Sequence, residues 1–127
     1  MDTREFKKIS RANPAVKKIL AMTFPSYKGR KIVWGFAESI RFSDTNWSGG
    51  TLREYKALVF NGSSCNVVTV PRGTWYAPND IEQRTCVIPA NGMIVEHVYF
   101  CGHDLGVRIY VGQAVQTMLE APQKLLA

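Results

Sequence analysis

The sequence predicts a mainly β protein: a small antiparallel β-sandwich or barrel of about six strands, with an N-terminal helical arm and a short C-terminal helical tail. Between residues 32 and 111, apolar side chains recur with a period of two in short runs, as in strands with one buried face. Turn-forming residues separate the runs and no helical pattern lies between them, so parallel βαβ units, which need crossover helices, are not expected. Three units follow: a basic helical arm at 1–31, an antiparallel β domain at 32–112 and a tail at 113–127.

The arm is expected to hold two short helices. Residues 3–12 form the first, with apolar side chains three positions apart on one side. Asn13 suits an N-cap and Pro14 suits the first helical position, so a second helix is predicted from Pro14 to Met22. Phe24-Pro25 ends it, because the residue before proline disfavours helix. The apolar residues expected to pack the arm against the body or a neighbour are Phe6, Ile9, Val16, Ile19 and Leu20.

The β domain is expected to begin with a long strand, 32–42, in which only Glu38 breaks the apolar row and a bend falls near Gly35. Asn61-Gly62 is typical of a β-hairpin turn, and residues 101–106 are expected to join the last two strands. The predicted strands are 32–42, 52–60, 64–70, 84–88, 93–100 and 107–111.

The formal charge is concentrated at one end of the chain. Residues 1–31 carry nine basic and two acidic side chains, a net +7, whereas the remaining 96 residues carry seven basic and eight acidic ones. This asymmetry predicts an anionic partner, or an arm that docks on a neighbour. The arm could bind nucleic acid, lie on an anionic membrane, or pack its apolar face on the body or another subunit. The apolar stripe is short and has no tryptophan and no run of leucines, so no membrane partner is expected; packing is the favoured alternative.

Cysteine usage and hydropathy indicate a protein that is neither secreted nor transmembrane. Cys65, Cys86 and Cys101 are odd in number and lack C-x-x-C spacing, as expected for buried thiols in a reducing compartment. No apolar run approaches the roughly 18 residues that span a bilayer. The basic N-terminal residues are not followed by the continuous apolar segment of a secretory signal.

The segment from Ile94 to Gly106 holds the side chains most capable of chemistry. His97, Cys101, His103 and Asp104 are weak candidates for metal ligands, and their spacing matches no zinc motif. Nothing around the cysteine resembles a nucleophile elbow or another thiolate-stabilising site. The sequence therefore predicts no catalytic residue, no metal and no cofactor, and a thiol- or metal-dependent enzyme is the third hypothesis.

Basic and aromatic side chains also suggest an anion-binding rim. The loop Asn46–Thr51 has consecutive glycines that can present backbone N–H groups to an anion. The loop also fits a β-turn whose glycines adopt positive φ while Trp47 fills one end of the domain, and this alternative is favoured. Arginine together with aromatic residues suits contact with phosphates and bases. The candidate ligand-binding residues are Lys28, Arg30, Lys31, Trp47, Arg53, Arg72, Trp75 and Tyr76.

Three motifs in order carry a resemblance: Tyr27–Lys31, Asn46–Tyr55 and Phe100–Val111. With them, the chain resembles short uncharacterised proteins of phages and prophages over about residues 24–111. The resemblance implies a bacterial host cytoplasm or a virion, and it carries over no functional residue.

Our first hypothesis is a non-enzymatic phage or prophage protein that acts by binding or assembly, with a homo-oligomer or neighbouring virion subunits as partners. The second is a binding module for nucleic acid or a phosphate-bearing small molecule, for instance one that sequesters a host signal.

Overall fold

The computed structural model describes residues 6–41, 51–61, 64–69, 85–100 and 103–120. Over these ranges the protein is mainly β, as the sequence predicts. The strands are β1 (Lys7–Lys8), β2 (Ile32–Phe36), β3 (Ser39–Arg41), β4 (Thr51–Asn61), β5 (Ser64–Thr69), β6 (Thr85–Val87), β7 (Gly92–Phe100) and β8 (His103–Val111). The helices are α1 (Pro14–Thr23) and α2 (Thr117–Glu120), with a 3₁₀ turn at Gln113–Val115.

The strands form two sheets, a large one in the order β1-β2-β8-β7-β4-β5 and a small one that pairs β3 with β6. The large sheet is not closed into a barrel, and β1 and β5 are its edges. It is also mixed rather than antiparallel, because β2 runs parallel to β8, with Ile32 opposite Val107. The antiparallel prediction was wrong for this pair. From β2 the chain passes through the intervening strands before β8 comes to lie beside β2, so the parallel pairing needs no crossover helix.

The N-terminal segment differs from the prediction before residue 13 and resembles it after. The helix expected at 3–12 does not form in its described part, since Lys7 and Lys8 pair with Trp34 and Val33 as strand β1. At Lys7 and Lys8, pairing with β2 therefore outweighs the local helical propensity. Helix α1 then begins after Asn13, whose Oδ1 accepts hydrogen bonds from the N–H groups at the start of the helix.

The core lies on both faces of the large sheet. On one face, Val16, Ile19 and Leu20 of α1 pack with apolar residues of β2, β4, β7, β8 and α2 in a cluster that we call the helix-side core. On the other face, a smaller cluster joins Ala37, Ile40, Tyr55, Ile88, Ile94 and Tyr110. Alternation along β7 and β8 sends successive side chains to the two faces. The arm's apolar stripe is therefore buried within the chain itself.

Two strand predictions need correction. The strand expected at 32–42 is divided at Ala37-Glu38 into β2 and β3, which belong to different sheets. Residue 38 is the position that breaks the apolar row, so the interruption was visible in the pattern. The last strand begins at His103 rather than residue 107, and residues 103–106 extend the β7–β8 pairing with a register shift near Tyr99. Within the described residues, no helix has both the length and the apolar character that crossing a membrane requires.

Candidate functional site

A cleft of about 760 Å³ lies beside helix α1, and four basic side chains of the described residues line it. We call it the basic cleft. Its walls come from residues 10–12, from one side of α1 and from the segment that leads into β2. Leu20 and Pro25 contribute apolar surface. The four cationic residues are Arg11, Lys17, Lys28 and Arg30.

The local fold explains why residues distant in sequence share this cleft. Tyr27 is buried, and its hydroxyl donates to the backbone oxygen of Lys31 at 3.1 Å, which fixes the segment after α1. Arg11 reaches across, donates to the backbone oxygen of Gly29 at 3.1 Å and lies 5.9 Å from the centre of the Tyr27 ring. Burial raises the pKa of the Tyr27 hydroxyl, so it remains a neutral donor at physiological pH. The two basic segments are thereby held against each other.

The described residues of the cleft carry only positive charge. None of the lining residues that the structure describes is acidic. Among the described residues, no carboxylate forms an ion pair with Lys17, Lys28 or Arg30. Lys28 donates to the backbone oxygen of Pro25 at 3.3 Å, and an ammonium group keeps two further donors for a ligand. Clustered cations without carboxylates produce a positive potential that attracts anions.

Of the sequence-predicted binding residues, Lys28, Arg30 and Lys31 are exposed and lie together, the first two in the basic cleft. Arg53 lies in β4, where its backbone is opposite Val98. The other four predicted binding residues, Trp47, Arg72, Trp75 and Tyr76, lie outside the described residues.

Arg11 and Lys17 also line the cleft, although neither was among the sequence-predicted binding residues. Lys17 is exposed on α1. In the structure, residues 24–30 fold back beside the exposed side of α1 that carries Lys17. The periodicity of a single helix does not reveal such a contact between segments.

The candidate metal ligands are divided by the structure. His97 is only 2% exposed, and its Nε2 atom lies 2.8 Å from Oδ1 of Asp104, which is 47% exposed. The rings of Phe24, Tyr27 and Tyr99 surround the imidazole. His103 is exposed, and Cys101 lies outside the described residues.

The His97–Asp104 pair is a buried polar contact rather than the centre of a ligand set. Nδ1 of the imidazole is buried and has no hydrogen-bond partner among the described residues. Since Nε2 faces a carboxylate, Nε2 is the donor and a neutral ring leaves only a lone pair at Nδ1. Within the described part of the chain, no three histidine, cysteine or acidic side chains are grouped as metal ligands would be.

A second polar contact occupies the opposite face of the sheet. Glu96 is buried and accepts a hydrogen bond of 3.3 Å from the Tyr110 hydroxyl, while Arg108 Nε lies 4.0 Å from the same carboxylate. Burial, and then the Glu96 carboxylate, raise the pKa of Tyr110, which therefore acts as a donor. Arg108 also donates to the tyrosine oxygen at 3.3 Å, so the buried carboxylate has a hydroxyl donor and an ion-paired cation beside it.

These features define a mainly β protein with a cationic surface cleft and two internal polar pairs. No protein-family model, no curated protein and no solved structure matches the chain. The function must therefore be inferred from the site itself.

Proposed function

We propose that the protein is a non-enzymatic binding module, of phage or prophage type, whose basic cleft takes a phosphate-bearing ligand. The observation that carries this proposal is the concentration of Arg11, Lys17, Lys28 and Arg30 in one cleft, with no acidic residue among its described lining residues. The phage setting rests on the motif resemblance alone. The proposal includes β3 and β6 as the second, smaller layer of a sandwich-like domain over the Tyr55 face of the large sheet.

The size and chemistry of the cleft support a phosphate ligand. A volume of about 760 Å³ lies within the range of pockets that hold one drug-sized ligand, about 300–1,000 Å³. Arginine offers a planar fork of donors for phosphate oxygens, and lysine offers a point charge. Leu20 and Pro25 supply apolar surface for the remainder of the ligand. Free nucleotides and nucleic acid share this phosphate chemistry, so an experiment must separate them.

Assembly through the arm ranks below ligand binding. An arm that docks on neighbouring subunits needs an apolar face that its own chain leaves open. Val16, Ile19 and Leu20, which would form this face, are each 4% exposed or less because they pack in the helix-side core. The lysines of the arm remain available, and they favour a charged partner over an apolar one.

The test measures binding of a fluorescein-labelled oligothymidylate by anisotropy, and of ATP by calorimetry, with the full chain and the double variant Lys17→Ala/Lys28→Ala. At 0.1 M salt, each lost phosphate contact is expected to weaken binding about fivefold, so the double variant should bind about 25-fold more weakly. The matched control is Lys18→Ala, which removes an exposed lysine from the same helix outside the cleft.

Three outcomes separate the alternatives. Loss of binding for both probes in the double variant, with the control unchanged, supports the cleft. Binding of ATP alone identifies a small phosphate-bearing ligand, whereas binding of the oligonucleotide alone identifies nucleic acid. If neither probe binds, or if the double variant and the control bind equally well, the proposal is wrong.

A further inference from the structure

A second basic groove adjoins the first. Its volume is about 560 Å³, and Lys8, Arg30, Lys31 and Arg108 line it together with apolar residues of β2, β7 and β8. Among the residues that the structure describes, no acidic side chain lines this groove either. Arg30 belongs to both linings, so the two depressions meet at its side chain. We call this depression the second groove.

The second groove reaches the face of the sheet opposite α1. Lys8, Val33 and Arg108 are successive partners across β1, β2 and β8. Along β2 and β8 they alternate with Ile32 and Val107, which belong to the helix-side core. The cationic surface therefore continues from the side of α1, past Arg30 at the entry to β2, to the opposite face.

The floor of the second groove differs from that of the basic cleft. Val33 is half-buried, and Leu105 is 44% exposed, one of the large apolar side chains that the described residues leave open. An apolar floor between cations suits a ligand that alternates flat apolar groups with anions. A nucleic-acid strand has this composition, since its bases can lie on apolar side chains while its phosphates contact lysine and arginine.

We infer that the basic cleft and the second groove together form one continuous site for a single-stranded nucleic acid, whose backbone passes Arg30 from one depression to the other. This inference rests on the proposed function and names its ligand. Two concave depressions joined at a bend accept a flexible strand, whereas a duplex is stiff over such lengths. A single nucleotide would occupy one depression and leave the cations of the other, apart from the shared Arg30, unused.

Salt dependence gives the inference a measurable magnitude. Among the described residues, seven basic side chains line the combined site, but Arg108 is already paired with Glu96, which leaves six for phosphates; four of these line the basic cleft. For single strands the slope of log K against log salt is about −0.7 per neutralised phosphate. A strand that contacts these six should therefore give a slope near −4, and one that fills only the basic cleft a slope near −3.

The experiment compares oligothymidylates of about 4 and 16 nucleotides, the range of site sizes known for single-strand binding folds, between 50 and 200 mM salt. In the full chain, the longer strand should bind more tightly and with the steeper slope. The variant Lys8→Ala/Lys31→Ala should weaken the 16-mer about 25-fold at 0.1 M salt and bring its slope toward −3. The 4-mer, which binds in the basic cleft, should change by less than twofold.

The control is Lys7→Ala/Lys18→Ala, which removes the same formal charge from exposed lysines that line neither depression. If this control weakens the 16-mer as much as Lys8→Ala/Lys31→Ala does, the effect is one of net charge and the inference fails. Equal affinity and slope for the two lengths would also overturn it while leaving the basic cleft intact. Tighter binding of a 16-base-pair duplex, or of polyglutamate, would replace the single strand as ligand. If Lys17→Ala/Lys28→Ala weakens binding and Lys8→Ala/Lys31→Ala does not, the second groove fails and the proposed function stands.

Discussion

Replacing Ile19 with alanine tests whether the arm is part of the folded body or a detachable appendage. Ile19 is 1% exposed, in the middle of α1 and in the helix-side core. Alanine is the best helix former, so the substitution removes packing without weakening the helix itself. If α1 were an arm that swings free to meet a partner, the same change would cost almost nothing.

The magnitude follows from the atoms removed. Isoleucine to alanine deletes three carbon atoms, which at about 0.8 kcal/mol per buried methylene gives roughly 2.4 kcal/mol. The surrounding side chains relax only in part, and the remaining cavity brings the expected loss to about 3–4 kcal/mol. With a urea m-value of about 1.5 kcal/mol/M, the midpoint of unfolding should fall by about 2 M.

The assay is urea unfolding followed by circular dichroism and by tryptophan fluorescence. The milder variant Ile19→Val, expected to cost about 0.5–1.5 kcal/mol, keeps the test valid if Ile19→Ala does not fold. The adjacent Lys18→Ala is the control and should stay within about 0.5 kcal/mol of the parent. A loss below about 0.5 kcal/mol in Ile19→Ala would show that α1 does not pack on the sheet in solution, and the reasoning would fail.

Three further predictions concern other parts of the structure. Asp104→Ala leaves the buried His97 Nε2 without its acceptor and should cost about 1–3 kcal/mol by urea unfolding, whereas Asp104→Asn keeps an acceptor oxygen and should cost less; equal losses would contradict the hydrogen bond. Gly106→Ala places a Cβ 2.9 Å from the Lys31 oxygen at a φ of 137°, so we expect a loss of at least about 1–3 kcal/mol, and a neutral result would refute this backbone geometry. The pKa of Tyr110 is raised in the native state, so its contribution to the free energy of unfolding is complete below pH 10, the ordinary tyrosine value. That contribution is lost as pH rises above 10, by about 1.4 kcal/mol per pH unit. In Tyr110→Phe, the free energy of unfolding should therefore fall less steeply between pH 8 and 11 than in the parent. Part of the fall should remain, because the pKa values of Tyr27 and Tyr99 are also raised; an unchanged fall would contradict the assignment.

The sequence predicted the elements whose pattern is strictly local. Strand β4 and strand β7 each lie within two residues of their predicted limits, because alternation persists along nearly their whole length. The Asn13 cap fixed the start of α1 by a hydrogen bond to its own helix. In these cases the determining contacts lie within a few residues along the chain.

The elements that the sequence did not predict depend on distant partners. Lys7 and Lys8 have no strand pattern of their own, and they become a strand only because the edge of β2 is open to them. The parallel pairing of β2 with β8 has no local signature. For the site, the charge count located the cationic region, but the fold-back of residues 24–31 decided which lysines share a cleft. The contact between His97 and Asp104 was visible only as two candidate ligands close in sequence.

The parallel pairing of β2 and β8 has a consequence for the order in which the protein can assemble during synthesis. Ile32 leaves the ribosome long before Val107, its partner in the sheet. The Asn13 side-chain amide likewise donates to the backbone oxygen of Leu119, which is made later still. The apolar side of helix α1 is therefore exposed to solvent in the nascent chain while β4, β5 and β7 are synthesised. We expect the nascent chain to need shielding in this interval, and the last strand to complete the domain in one cooperative step.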